Sequence, residues 1–224
     1  MTSMWRKILR TFHPEGIPGP GSRVYNFLSS SGIFQRHYDL VAEDILRYCP
    51  EGRVLDIGTG PRWLLLSLRK IAPGLQLAGL DISPAMIDRA KENLHGKNGC
   101  ADIELAVGSA ARLPFADNSF ECVVSTGSMH HWKDMAGGLT EIHRILKKNG
   151  HALMYDLVQK LPRDVFEQNR KEFGRYRMTL LWLHSFEEPF YSVREMELLP
   201  GSTPFGRGDM HFTGALCCLV MKKS

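Results

Sequence analysis

Asp56-Ile57-Gly58-Thr59-Gly60, followed later by Asp81, is the first run in this chain whose residue types could do chemistry. Glycines at such a place let the backbone turn tightly and come close to a ligand. A helix N-terminus behind them favours negative charge such as a carboxylate. Asp81 follows Asp56 by about 25 residues, close to the spacing at which an acidic residue meets ribose hydroxyls in nucleoside-binding sheets. A carboxylate accepts two hydroxyl hydrogen bonds at once and so suits a vicinal diol. Each feature alone also fits a plainer role, Gly-x-Gly an ordinary strand-helix turn and Asp81 a helix cap or surface acid. Further on, Ser128-Met129-His130-His131-Trp132 sets two imidazoles side by side, where one could take a proton or orient a substrate. Either histidine could equally brace its own loop.

The elements that must position these groups follow from periodicity. Apolar residues recur at helical spacing from Ile33 to Tyr48 (Phe34, Tyr38, Val41, Ile45). Arg53–Ile57 reads as a strand, Trp63–Ile71 as a helix, and Leu75–Leu80 as a strand ending on Asp81. Ser83 caps the next helix, with Pro84 in its first turn, and that helix runs to about Leu94. Asp102–Val107 and Ser119–Ser125 are strands, Asp134–Leu146 is a helix ended by Asn149-Gly150, and His151–Leu157 is a fifth strand. Such alternation predicts an α/β fold, a doubly wound and mostly parallel sheet with helices on both faces. Ligands then sit at the carboxyl ends of the strands, where the strand order reverses. The tail reads as a helix over Val165–Leu183 and two strands, Phe190–Leu199 and His211–Lys222, joined by a turn-rich loop and able to pair antiparallel.

Composition narrows the class. A hydrophobic content of 43% with 23% charged residues is ordinary for a soluble globular protein, and the length suits one domain. The net charge of +4 is mild and includes no dense basic block, so there is no strong nucleic-acid signal. Five cysteines without a C-x-x-C pair argue against a disulfide framework or structural zinc and suit reduced thiols in a cytoplasmic protein. Cys217 and Cys218, adjacent in a strand, should point to opposite faces and are not read as a metal site; no metal is expected. No apolar stretch reaches transmembrane length.

A dinucleotide site would need Gly-x-Gly-x-x-Gly, and Trp63 occupies the third glycine place. The runs Val54–Gly60, Gly79–Lys91, Gly108–Phe115, Asn118–Val124 and Leu139–Gly150 instead resemble the class I S-adenosylmethionine-dependent methyltransferases. The likeness is greatest to the group containing the ubiquinone and menaquinone biosynthesis C-methyltransferases, and it covers about Val41 to Leu157. It implies a Rossmann-like seven-stranded sheet with an antiparallel C-terminal strand. It also implies an N-terminal helical lid (residues 1–40) on a methyltransferase domain (residues 41–224). Asp56, Gly58 and Gly60 would then surround the methionine part of S-adenosyl-L-methionine, and Asp81 its ribose. Ile82 and Met86 would pack on the adenine, with Ser109 and Ala110 along its edge. Ser125 and Thr126 would face the methionine amino group or the transferred methyl.

His130 and His131 are the candidate catalytic residues, because relatives place substrate-facing groups after the fourth strand. Tyr25, His37 and Tyr38 are candidate substrate contacts from the lid. Two positions depart from the family pattern: Arg62 replaces the third glycine of its loop, and Ser109 stands where many relatives carry an aspartate. The expected activity is in-line methyl transfer to a small molecule, and the product would be S-adenosyl-L-homocysteine. A protein or RNA acceptor, or cofactor binding without catalysis, are the alternatives.

Overall fold

Short runs of Val, Leu and Ile with no polar alternation form strands buried on both faces, and the centre of this fold is made of them. The computed structural model describes residues 32–97, 99–175 and 190–224. In chain order the described elements are α1 (Gly32–Ile45), β1 (Arg53–Ile57), α2 (Trp63–Ile71), β2 (Gln76–Asp81), α3 (Pro84–Leu94), β3 (Glu104–Val107) and β4 (Phe120–Thr126). A 3₁₀ turn follows at Met129–His131, then α4 (Met135–Ile145), β5 (Leu146–Asp156), α5 (Arg163–Phe173), α6 (Val193–Leu198), a second 3₁₀ turn (Leu199–Ser202), β6 (Asp209–Thr213) and β7 (Leu216–Lys222).

The strands make one seven-stranded sheet in the order β3-β2-β1-β4-β5-β7-β6. β1 to β5 pair in parallel, and β7 pairs antiparallel with both β5 and β6. Successive residues of each strand serve opposite faces. Val54, Val124, Leu153 and Cys218 pack with Val41 and Ile45 of α1 and Leu64, Leu65 and Leu68 of α2. Leu55, Val123, Met154 and Cys217 pack on the other face with Leu139, Ile142 and Ile145 of α4. Cys217 and Cys218 are therefore both core, on opposite faces as their adjacency requires.

The expected doubly wound sheet and its antiparallel C-terminal strand are present, but several local expectations change. α4 ends at Ile145, and β5 starts at once with Leu146 paired to Phe120. Asn149-Gly150 therefore does not stop a helix. Asn149, at φ 66, bends the strand where its register shifts, and a Cβ on Gly150 would lie 2.8 Å from the Glu121 carbonyl oxygen. The expected strand Phe190–Leu199 is mostly helix α6, because Ser192 and Glu195 form a reciprocal capping box. The expected strand His211–Lys222 is a hairpin, turned at Gly214 with φ 57. α5 is shorter than expected and stops where Gly174 takes φ 85; residues 176–183 lie outside the described segments. Ser83 stands at the N-cap of α3 without a side-chain capping bond. No helix among the described residues is long and apolar enough to cross a membrane.

One buried acid ties α1 to the far edge of the sheet. Asp44 Oδ2 accepts hydrogen bonds from Tyr155 Oη (2.8 Å) on β5 and Thr213 Oγ1 (3.1 Å) on β6, and lies 2.6 Å from His211 Nε2. His211, Asp44 and Cys218 also gather as a possible ligand set, but the carboxylate already serves this hydrogen-bonding role. Asp44→Ala would take its carboxylate acceptor from the wholly buried Tyr155 hydroxyl. We expect a loss of about 1–3 kcal/mol of stability, read by urea unfolding, whereas Tyr155→Phe should cost less because Asp44 Oδ2 keeps Thr213 and His211 as partners.

Candidate functional site

The strand order reverses between β1 and β4, so the loops after these two strands diverge and leave a crevice at the carboxyl edge. The β1 loop is shaped by positive backbone angles, with Gly58 at φ 75 and Gly60 at φ 50. A Cβ on Gly58 would come within 2.3 Å of Ser128 Oγ, so this glycine also admits the loop after β4. Ser128 Oγ in turn meets Ser125 Oγ at 2.7 Å and donates to the Ile57 carbonyl at 3.1 Å. The two loops that flank the crevice are thereby locked together.

Two carboxyls face this region in different states. Asp56 is 2% exposed, and its Oδ1 has no hydrogen-bond partner among the described residues. Burial pushes its pKa up to about 7; the nearby Thr59 hydroxyl opposes the rise, and the charge of Asp81 adds to it. Asp81 is better served. Its Oδ2 accepts the Gly60 N–H and its Oδ1 the Ser83 N–H, both at 2.9 Å. Burial still raises its pKa against these two backbone bonds. Each Asp81 oxygen keeps a lone pair in addition to its backbone bond, as binding of a diol requires. The Asp56 carboxyl, whose Oδ1 has no partner among the described residues, fits an ammonium group.

Across the crevice, β4 and β5 supply a second constellation. Asp156 is the last residue of β5, and both of its oxygens lie close to His130 Nδ1, at 3.0 and 2.8 Å. Asp156 also accepts the backbone N–H groups of His130 (3.1 Å) and Leu157 (2.8 Å). Both side chains are buried. A carboxylate on Nδ1 selects the tautomer with its proton there, which makes Nε2 the acceptor nitrogen of the neutral ring. The His130 ring packs on His131 (centroids 4.0 Å apart) and edge-on against Phe190 (4.4 Å). His131 is only half-buried.

A family model described as a methyltransferase domain matches residues 55–154, the segment that carries all of β1 to β4 beyond its first residues and most of β5. The chain is 34% identical over 136 residues to the ubiquinone/menaquinone biosynthesis C-methyltransferase UbiE of Geotalea uraniireducens, covering 59% of this chain and 57% of that protein. It is 35% identical over 143 residues to the demethylmenaquinone methyltransferase of Chlorobaculum parvum, covering 62% and 55%. Residues 55–154 of this chain thus match a methyltransferase domain. The match spans little more than half the length of these relatives. The fold agrees with a SAM-dependent methyltransferase structure from Aquifex aeolicus, with a TM-score of 0.66 at 16% identity over 93% of this chain and 100% of the other.

Within this chain, the residues expected at the cofactor fall along one edge. Asp56, Gly58, Gly60 and Asp81 stand together around the β1 and β2 ends. Ile82, directly after Asp81, is among the exposed large apolar residues, whereas Met86 is buried in α3. Ser109 turns back on its own loop, accepting the Ala111 N–H at 3.2 Å, and Ala110 packs partly against the core. Ser125 is buried at the end of β4, and Thr126 Oγ1 is buried without a hydrogen-bond partner among the described residues. His37 stacks on Phe173 of α5 at 4.3 Å, beside Gly214. Tyr38 packs against the core cluster beneath α1. Tyr25 lies outside the described residues.

Asp156 was missed by sequence reasoning, although an acid closing a strand, as Asp81 does, was a usable sign. Ser128 was also missed, since only packing reveals its fit against Gly58. The raised pKa of Asp56 has a direct consequence for the ligand-free protein. An acid whose folded pKa lies above its unfolded value contributes stability that is complete below the unfolded value and lost as pH rises through the folded one. From pH 4 to pH 8 the wild type should therefore lose stability relative to Asp56→Asn, with the change centred on the window between the usual 3.8 and about 7. Urea unfolding across this range checks it; parallel profiles for the two proteins would contradict it.

Proposed function

We propose that this protein transfers a methyl group from S-adenosyl-L-methionine, in line, to a small-molecule acceptor that must shed a proton. The observation that carries this reading is the His130–Asp156 pair, buried at the ends of β4 and β5 beside the crevice that Asp56 and Asp81 border. When bound, the cofactor supplies a methyl group on a good leaving group, so positioning does much of the work. Asp56 would hold the ammonium group of the methionine moiety, and Asp81 the ribose diol. Gly58 and Gly60 would give the cofactor access to the loop backbone. Ile82 and Met86 would border the adenine with Ser109 and Ala110, and Ser125 and Thr126 would border the methyl.

His130 would accept the acceptor's proton at Nε2 while Asp156 stabilises the resulting imidazolium. His131, half-buried against the His130 ring, would orient the acceptor, with His37 as a further contact. A phenolic or activated-carbon acceptor needs such a base, and the relatives named for quinone biosynthesis support that class. An RNA acceptor is disfavoured by the mild net charge of +4.

A bracing role for His130 also has an observation behind it, since its backbone N–H bonds to the same Asp156 carboxylate. Two measurements separate the readings. S-adenosylhomocysteine, but not NAD, should raise the melting temperature of the wild type. With a quinol-type acceptor, His130→Ala and Asp156→Asn should lower kcat by about 10²–10⁴ while leaving S-adenosylhomocysteine affinity in place. Unchanged kcat with reduced stability would assign His130 to bracing alone.

A further inference from the structure

Arg62 occupies the loop position where this family places a glycine, and its surroundings are unusual for an arginine. The residue is wholly buried. Its backbone is left-handed, at φ 71 and ψ 24, a conformation that side chains with a Cβ disfavour. Its Nε donates to the Ala90 carbonyl of α3 at 2.9 Å. Its Nη1 and Nη2 are buried with no hydrogen-bond partner among the described residues. Burial draws its pKa down to about 10, against a smaller opposing effect of Cys100. A helix start needs none of this. Glycine or asparagine would accept the same backbone angles without burying a guanidinium.

The contacts show what the arginine accomplishes. At one end of the β1 loop, the Gly60 N–H bonds to Asp81 Oδ2. At the other end, Arg62 Nε reaches the middle of α3, the helix that starts three residues after Asp81. Between them, Asn93 Nδ2 of α3 reaches the Pro61 carbonyl at 3.4 Å. Arg62 also closes the loop on itself, its N–H bonding to the Thr59 carbonyl at 2.9 Å. The loop that bears Gly58 and Gly60 is thus fastened to the β2–α3 unit that bears Asp81. A loop already held in its binding geometry loses less freedom when a ligand arrives.

We infer that Arg62 is a positioning residue for the cofactor site: from behind the glycine loop, it fixes that loop against α3 and so sets the spacing between the loop and Asp81. The inference rests on the cofactor reading above, and the test keeps the two apart.

S-adenosylhomocysteine is titrated calorimetrically into wild type, Arg62→Asn and Arg62→Gly, both substitutions being compatible with positive φ. Loss of a charge-assisted hydrogen bond and its brace should weaken binding about tenfold. KM for S-adenosylmethionine should rise in step while kcat at saturation stays within about twofold, because the reacting groups are untouched. Arg62→Lys keeps the stem and charge but has carbon in place of Nε, so it should recover only part of the affinity. A cooperatively folded Arg62→Asn that binds as tightly as wild type would overturn the inference.

Hydrogen exchange on the ligand-free wild type gives a reading that does not depend on any variant folding. The amides of Gly60 and Arg62 should be protected, and free exchange there would also overturn the proposal. A wild type that binds no S-adenosylhomocysteine yet protects these amides would instead sink the cofactor reading and leave the brace standing.

Discussion

Parallel pairing of β1, β2, β4 and β5 puts the carboxyl ends of four strands on one edge of the sheet, and nearly every chemically distinctive group depends on that constraint. Asp56 lies one residue from the end of β1, Asp81 ends β2, Ser125 and Thr126 close β4, and Asp156 ends β5. Each strand is buried on both faces, so its position along the sheet is fixed by packing. The acids are held at set heights by backbones that have little room to slide. The antiparallel β7 then lies against β5, with Asp156 paired to Cys217, and closes the side of the sheet next to the His130–Asp156 pair.

Three acids along this edge are handled in three ways. Asp56 is buried with an unpartnered oxygen, and burial raises its pKa to about 7, a state suited to receiving a positive group. Asp81 shares its oxygens with the Gly60 and Ser83 amides, which fix the carboxyl plane. Asp156 gathers a ring nitrogen and two backbone amides, orienting an imidazole at the cost of burying both groups. The same amino acid thus takes distinct roles from the donors that its neighbours present. Asp44, a fourth buried acid, serves the opposite purpose, its Oδ2 holding α1 to the sheet.

Where expectations failed, local and tertiary preferences were in competition. Asn149-Gly150 reads as a helix stop, yet Leu146 gains more by pairing with Phe120 in the buried sheet, and the Asn-Gly pair becomes a bend inside β5. Ser192-Val193-Arg194-Glu195 was legible as a capping box, but the apolar residues around it suggested a strand. Gly214 was a visible turn residue inside a run whose β-branched and aromatic neighbours suggested continuity.

Strand and helix order through β5, the glycine loop, Asp81 and the histidine pair were all legible in the sequence. They depend on local periodicity, turn chemistry and spacing, which neighbouring residues carry between them. The partnership of His130 with Asp156, the packing of Ser128 against Gly58 and the grip of Arg62 on Ala90 were decided only by the tertiary structure. Each joins residues far apart in the chain, 26 positions for the first and 28 for the last. Such contacts are set by sheet register and helix packing, and by the need to satisfy or balance buried polar atoms, which no local window of sequence expresses.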